Sequence, residues 1–205
     1  MNLKDKVYEI VKSRIIAGEY MPGQQINEKE IIEELHISRT PFREAMNALS
    51  KEFLVNLIPN KGFFVRECSE KDILDIFDVR YMLEPDIMRL ICGKVSDETL
   101  AFLHTEAEQA IASKDVQRIR RADAGFHRML IKELRNQYLV NIMENIFEND
   151  QIRVRHDHSM NNVCDALREH LKILQCLEER DADGAAEAMV EHLRLGRMRA
   201  MDTIF

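Results

Sequence analysis

Asn27-Glu28-Lys29-Glu30-Ile31-Ile32-Glu33-Glu34-Leu35-His36-Ile37-Ser38-Arg39-Thr40-Pro41-Phe42-Arg43-Glu44-Ala45 is the stretch on which the fold turns. It holds two helix starts separated by one short turn. Asn27 and Glu30 fit an N-x-x-E capping box, which opens a helix running through Leu35. The turn His36-Ile37 leads to Ser38, a good N-cap for the next helix. Pro41 falls in the first turn of that helix, where a missing N–H costs nothing. Phe42, Ala45 and Leu49 then recur at helical spacing and give it a buried face.

Upstream, Leu3, Val7, Ile10, Val11 and Ile15 place a first helix over Leu3–Ala17, stopped by Gly18 with Pro22 soon after. Downstream, Val55–Ile58 and Phe63–Val65 are short apolar runs around the turn Pro59-Asn60-Lys61-Gly62, which predicts a hairpin. Helix, helix, short turn, helix, hairpin describes a winged helix-turn-helix over residues 1–68. Its third helix is the one that enters a major groove, led by its N-terminal residues. The candidate DNA contacts are therefore Ser38, Arg39, Thr40 and Arg43, with Asn60, Lys61 and Gly62 at the wing turn and Arg66 on its flank. Arginine is the commonest reader of guanine. The competing reading is an ordinary helical bundle whose surface charges are merely solvated.

Charge bears on that choice. The chain carries 29 Lys+Arg and 36 Asp+Glu, a formal net charge of −7. Residues 1–68 hold 10 of each sign, so the whole excess lies beyond them. An acidic protein binds DNA only through a local basic patch, and the first segment is the place for it. With 45% hydrophobic residues the chain can bury a core, and with seven Gly and four Pro it should be mostly helical. No apolar run approaches the roughly 20 residues of a membrane span. The start, MNLKDKVYEIVKSRI, is amphipathic and charged, unlike a signal peptide. Cys68, Cys92, Cys164 and Cys176 form no C-x-x-C pair, which is expected of free thiols in a reducing cytoplasm.

Residues 69–205 read as about six helices without strands, an all-α bundle. Ser69 with Asp72, Ser96 and Asp115 start the first three. Others run over Gln137–Arg155 and Val163–Arg180, and from Asp183 to the C-terminus. Polar residues interrupt three apolar stripes. Asp123 and His127 share a helix face with Leu130 and Leu134; His170 lies among Leu167, Leu171, Leu174 and Leu177; His192 lies among Ala185, Ala188, Met189 and Leu195. Each His alone reads as a core imidazole bonded to a carbonyl, and Asp123 could pair with one of them in a metal-free cluster. Together they suit a first-row divalent ion, with zinc, nickel and manganese as candidates. Arg80 lies on the stripe Ile73, Phe77, Glu84, Ile87, Ile91. It could grip a ligand carboxylate bidentately or simply pair with Glu84 at i, i+4. His36, His104, His156 and His158 fall outside the pattern and read as surface or structural. An Asp with three His could activate water, but no partnered nucleophile or general base accompanies them, and a DNA-binding segment argues against an enzyme.

Two resemblances sharpen these readings. Pro22-Gly23 through Asn27-Glu28, followed by Ser38-Arg39-Thr40-Pro41-Phe42-Arg43-Glu44-Ala45, resembles the GntR family of bacterial regulators, and Pro59–Val65 resembles that family's wing. The family usually has Gly where this chain has Phe53, so the joint between third helix and wing is expected to be shaped differently here. Asp123–Leu130 (DxxFHxxL), Glu169–Leu174 (EHxxIL) and Ala188–Leu193 (AMxxHL) resemble the FCD ligand-binding domain of the FadR subfamily, in its six-helix VanR-like branch. The resemblance implies that Asp123, His127, His170 and His192 hold a divalent metal ion whose coordination a small organic acid completes. Arg80 stands where the family often has Arg and is the candidate effector anchor. It further implies a cytoplasmic, ligand-responsive repressor, bound as a homodimer to a palindromic double-stranded DNA operator. The alternative is a regulator in which the ion itself is the signal.

Overall fold

In the computed structural model, which describes residues 2–154 and 160–202, the chain divides into two compact units. One comprises Met1–Ser69 together with Glu148–Arg155, and the other Glu70–Phe147 with His156–Phe205. His156 and His158 lie outside the described residues, as does Arg155, the expected end of one helix.

The first unit is built from α1 (Leu3–Ala17), β1 (Gln25–Ile26), α2 (Glu28–Leu35), α3 (Arg39–Lys51), β2 (Val55–Ile58) and β3 (Gly62–Val65). The Asn27 side chain caps α2, accepting from the Lys29 and Glu30 amides, and its amide Nδ2 donates to Glu30 Oε1 at 2.8 Å. Ser38 does stand at the N-cap of α3, but its hydroxyl makes no capping bond. Val7, Val11 and Ile15 of α1 meet Ile31, Phe42, Ala45, Met46 and Leu49 in one core. The ring of Phe42 meets that of Phe63 edge-on at 5.8 Å, joining α3 to the wing. Full burial of each such large side chain contributes roughly 1.5–3 kcal/mol.

Two findings depart from expectation. The wing is a three-stranded antiparallel sheet in the order β1-β3-β2, with Gln25 opposite Phe64 and Leu57 opposite Phe63. The hairpin was expected, the added strand was not. Phe53 adopts φ 62°, the left-handed conformation that suits Gly, so the joint keeps the shape that the substitution was expected to change. Hydrogen bonds force it: Leu54 N donates to Leu49 O and Phe53 N to Ser50 O, the paired bonds of a Schellman helix end.

The second unit contains α4 (Glu70–Ile91), α5 (Asp97–Ser113), α6 (Val116–Lys132), most of α7 (Gln137–Val154), α8 (Met160–Glu178) and α9 (Ala182–Asp202). These are the six expected helices, and no strand occurs among the described residues of this unit. α4 packs along α9, α9 along α8, and α8 against both α5 and α6. Gly196 permits the first contact, since a Cβ there would lie 3.3 Å from the Phe77 ring. The entire stripe Ile73, Phe77, Arg80, Glu84, Ile87, Ile91 is buried, its two charged members included.

Candidate functional site

In the first unit Ser38, Arg39, Thr40 and Arg43 are all exposed at the start of α3. The Arg39 side chain is 76% exposed, with Glu28 Oε1 3.7 Å from its Nε. Asn60 and Lys61 are exposed at the wing turn, and Gly62, at φ 103°, closes it. A side chain at Gly62 would be strained and would meet the Gln25 amide at 3.4 Å. Gln25 Nε2 donates to the Lys61 carbonyl at 2.6 Å, tying the turn to β1.

In the second unit α6, α8 and α9 bring three imidazoles together. The Nε2 atoms of His127, His170 and His192 lie 3.2–3.3 Å from one another. All three residues are buried. Asp123, one turn before His127 on α6, stands at the edge of the cluster. Its Oδ1 is 3.6 Å from His170 Nε2, and its side chain is 34% exposed. The four residues singled out in the sequence are thus gathered at one place, three in mutual contact and Asp123 beside them.

Carboxylates back two of the histidines. His192 Nδ1 lies 2.9 Å from Glu169 Oε2, and Arg199 grips Glu169 with Nη1 at 2.7 Å and Nη2 at 2.8 Å. His127 Nδ1 lies 2.7 Å from Glu84 Oε2, although the two atoms are not aligned as a regular hydrogen bond. Glu84 Oε1 accepts from Arg80 Nε at 2.6 Å. Among the described residues His170 has no hydrogen-bond partner at Nδ1; its ring is stacked on Phe126 at 3.8 Å, 7° from parallel. Arg80 pairs with Glu84, as one of its two readings expected, and its Nη2 is 3.2 Å from His127 Nε2, at the cluster.

The electrostatics favour neutral imidazoles at His170 and His192 and charged carboxylates at Glu84 and Glu169. Burial, seconded by the neighbouring histidines and Arg80, pushes His170 well below the usual imidazole range. Burial also lowers His192, against the opposing pull of Glu169. Burial alone would raise both glutamates. The bonds from Arg199 and His192 outweigh it and hold Glu169 at about 2. Arg80 and His127 likewise hold Glu84 below the usual carboxylate range.

These groups fit a divalent ion. Neutral imidazole is the metal-binding form. The centre of a triangle with sides of 3.2–3.3 Å lies about 1.9 Å from each corner, near the zinc–nitrogen bond length of about 2.0–2.1 Å. Imidazole lone pairs aimed at one point repel each other unless a cation or a donor stands there, and Arg80 Nη2 reaches His127 Nε2 at 3.2 Å. Glu84, Glu169 and Arg199 were not picked out as site residues from the sequence. The available signals were Glu84, a carboxylate beside Arg80 on a largely apolar stripe, and Glu169, which opens the EHxxIL motif; nothing local marked Arg199, which meets Glu169 across 30 positions of sequence.

Comparison with known proteins bears on both units. Residues 3–65 match the gntR family of bacterial regulatory proteins, and residues 75–195 match the FCD domain. The chain is 30% identical over 196 residues to the HTH-type transcriptional regulator YdhC of Bacillus subtilis (strain 168), covering 90% of this chain and 85% of that protein. It is 26% identical to the HTH-type transcriptional repressor RspR of Escherichia coli (strain K12), covering 94% and 86%. The solved structure of E. coli McbR/YncC shares the fold with a TM-score of 0.83 at 19% identity, covering 100% of both chains. The relatives are transcriptional regulators, not enzymes. The chain belongs to the GntR family of bacterial transcriptional regulators, with a DNA-binding winged helix-turn-helix followed by an all-helical FCD domain.

Proposed function

We propose that this regulator is a repressor, released from a palindromic operator when a small organic acid completes the coordination of a divalent ion held by Asp123, His127, His170 and His192. The convergence of three buried Nε2 atoms at 3.2–3.3 Å carries the reading. Three imidazoles and one carboxylate leave positions open on a five- or six-coordinate zinc, nickel or manganese ion, which would supply the Lewis acidity that fixes a carboxylate. Arg80 faces the same cluster and is the second anchor for that carboxylate. Residues of α6, α8 and α9 hold the ion, so a bridging ligand draws those helices together.

Ser38, Arg39, Thr40 and Arg43 read the operator in the major groove, with Asn60, Lys61 and Gly62 at the phosphates beside it. One α3 covers too few base pairs for specificity, so the working species is a homodimer on two half-sites. An acid that binds free and operator-bound protein unequally must change operator affinity by the same coupling factor, roughly 1–3 kcal/mol.

The test is a fluorescence-anisotropy titration on an operator selected from random DNA. Zinc alone, a panel of small mono-, di- and hydroxycarboxylates alone, and the two together are added in turn. The expected result is release by one acid in the presence of zinc. Release by zinc alone assigns the signal to the ion, and no release under any condition overturns the proposal.

A further inference from the structure

A neutral imidazole carries one proton on two nitrogens, and the partner of one nitrogen decides whether the other is a donor or a lone pair. His192 Nδ1 is 2.9 Å from Glu169 Oε2, and His127 Nδ1 is 2.7 Å from Glu84 Oε2. A carboxylate oxygen and a bare ring nitrogen are both acceptors and repel at such distances, so each Nδ1 carries the proton. Both Nε2 atoms are then lone pairs, 3.2 Å apart across the cluster.

Each carboxylate is itself fixed. Glu169 is gripped through both oxygens by Arg199, which lies on α9 two turns beyond His192. Glu84 is gripped by Arg80 one turn earlier on α4, and it is only 1% exposed. A buried carboxylate of this kind is costly unless paired; here Glu84 Oε1 accepts from the guanidinium while Oε2 lies 2.7 Å from His127 Nδ1. Two Arg–Glu–His relays thus reach the cluster, Arg80–Glu84–His127 from α4 and Arg199–Glu169–His192 from α8 and α9. Among the described residues His170, stacked on Phe126 with no hydrogen-bond partner at Nδ1, has no such relay.

We propose that Glu84 and Glu169 are positioning residues for the metal centre, each fixing the ring and the tautomer of one histidine so that Nε2 faces the ion. The inference rests on the metal reading given above and assigns the residues behind the ligands. Such outer carboxylates set ligand orientation and basicity, and their loss commonly weakens metal binding 10–100-fold.

Two measurements test it. Zinc affinity is read by competition with a chromophoric chelator for the unaltered chain, for Glu169→Gln and Glu84→Gln, and for Asp78→Asn, which breaks an exposed ion pair with Arg197. Long-range nitrogen–proton correlation spectra of the zinc-free protein read the imidazole tautomers. Glu169→Gln is expected to bind zinc about 10–100-fold more weakly, and Asp78→Asn to match the unaltered chain. In the unaltered chain His127 and His192 are expected as Nδ1-protonated tautomers, and in Glu169→Gln His192 loses that preference. Glu84→Gln removes a buried counter-charge beside Arg80 and can fail to fold, so the decision rests on Glu169→Gln and the spectra. Unchanged zinc affinity in Glu169→Gln, or Nε2-protonated His127 and His192 in the unaltered chain, overturns the inference while leaving the metal site standing. Failure of the unaltered chain to take up zinc overturns the metal site, and the inference with it.

Discussion

Phe53 holds a left-handed backbone with a β-carbon in the way, a conformation that costs a non-glycine residue about 1–2 kcal/mol. Its ring is 57% exposed and lies under the Arg66 guanidinium at 5.0 Å, so it contributes little to the core. Phe53→Gly removes the strain, while the extra freedom of Gly in the unfolded chain returns roughly 0.5–1 kcal/mol. The net expectation is a gain of up to about 1 kcal/mol, read as a higher urea midpoint with an unchanged slope; a lower midpoint would show that the Arg66 contact outweighs the strain. At this scale the sequence was legible wherever one helix face told the story. Asp123, His127, His170 and His192 interrupt apolar stripes and so announce themselves. Glu169 and Arg199 do not, because neither sits on a stripe and their meeting depends on how α8 packs on α9. The conformation of Phe53 was misjudged for a related reason: the helix-end hydrogen bonds that impose it belong to the whole turn, not to the residue.

Among the elements, α2 and α3 begin with similar signals and end up capped differently. Asn27 accepts from two amides, at 3.1 and 3.5 Å, whereas the Ser38 hydroxyl accepts from none. Asn27→Ala is therefore expected to cost about 1 kcal/mol, as cap removal usually does, and Ser38→Ala to leave the melting temperature within error. Equal destabilisation by the two would show that Ser38 caps α3 in solution. Helix limits were readable because periodicity, caps and stops agree over 15 or more residues, as in α1 and α5. The strand β1 was not, since two residues carry no period and owe their conformation to pairing with β3.

For the molecule as a whole, the proposed ion ligands lie in the second unit, while the first unit has its own apolar core. Metal bound only by the folded state stabilises whatever folds with it, by about 2.7 kcal/mol at a concentration 100 times Kd. Calorimetry with and without zinc is expected to show two transitions, of which one moves up with zinc and reverses with chelator. A single transition that moves as a block would show that the units melt together. The two-part plan was evident in the sequence because the neutral first segment and the acidic remainder differ in charge as well as in motif. The assignment of Glu148–Arg155 to the first unit was not evident, because a continuous helical pattern through α7 gives no sign of where its neighbours change.

The bond from Gln25 Nε2 to the Lys61 carbonyl has a kinetic consequence. A wing held only by its own two strands would freeze on reaching DNA, and that loss of freedom would be drawn from the affinity. Here the tip is moored to the strand that leads into α2, so its shape is settled before any encounter. If the proposed operator contacts hold, docking needs no slow ordering of the wing tip, and the association rate is left to diffusion and to charge steering from residues such as Arg39 and Lys61.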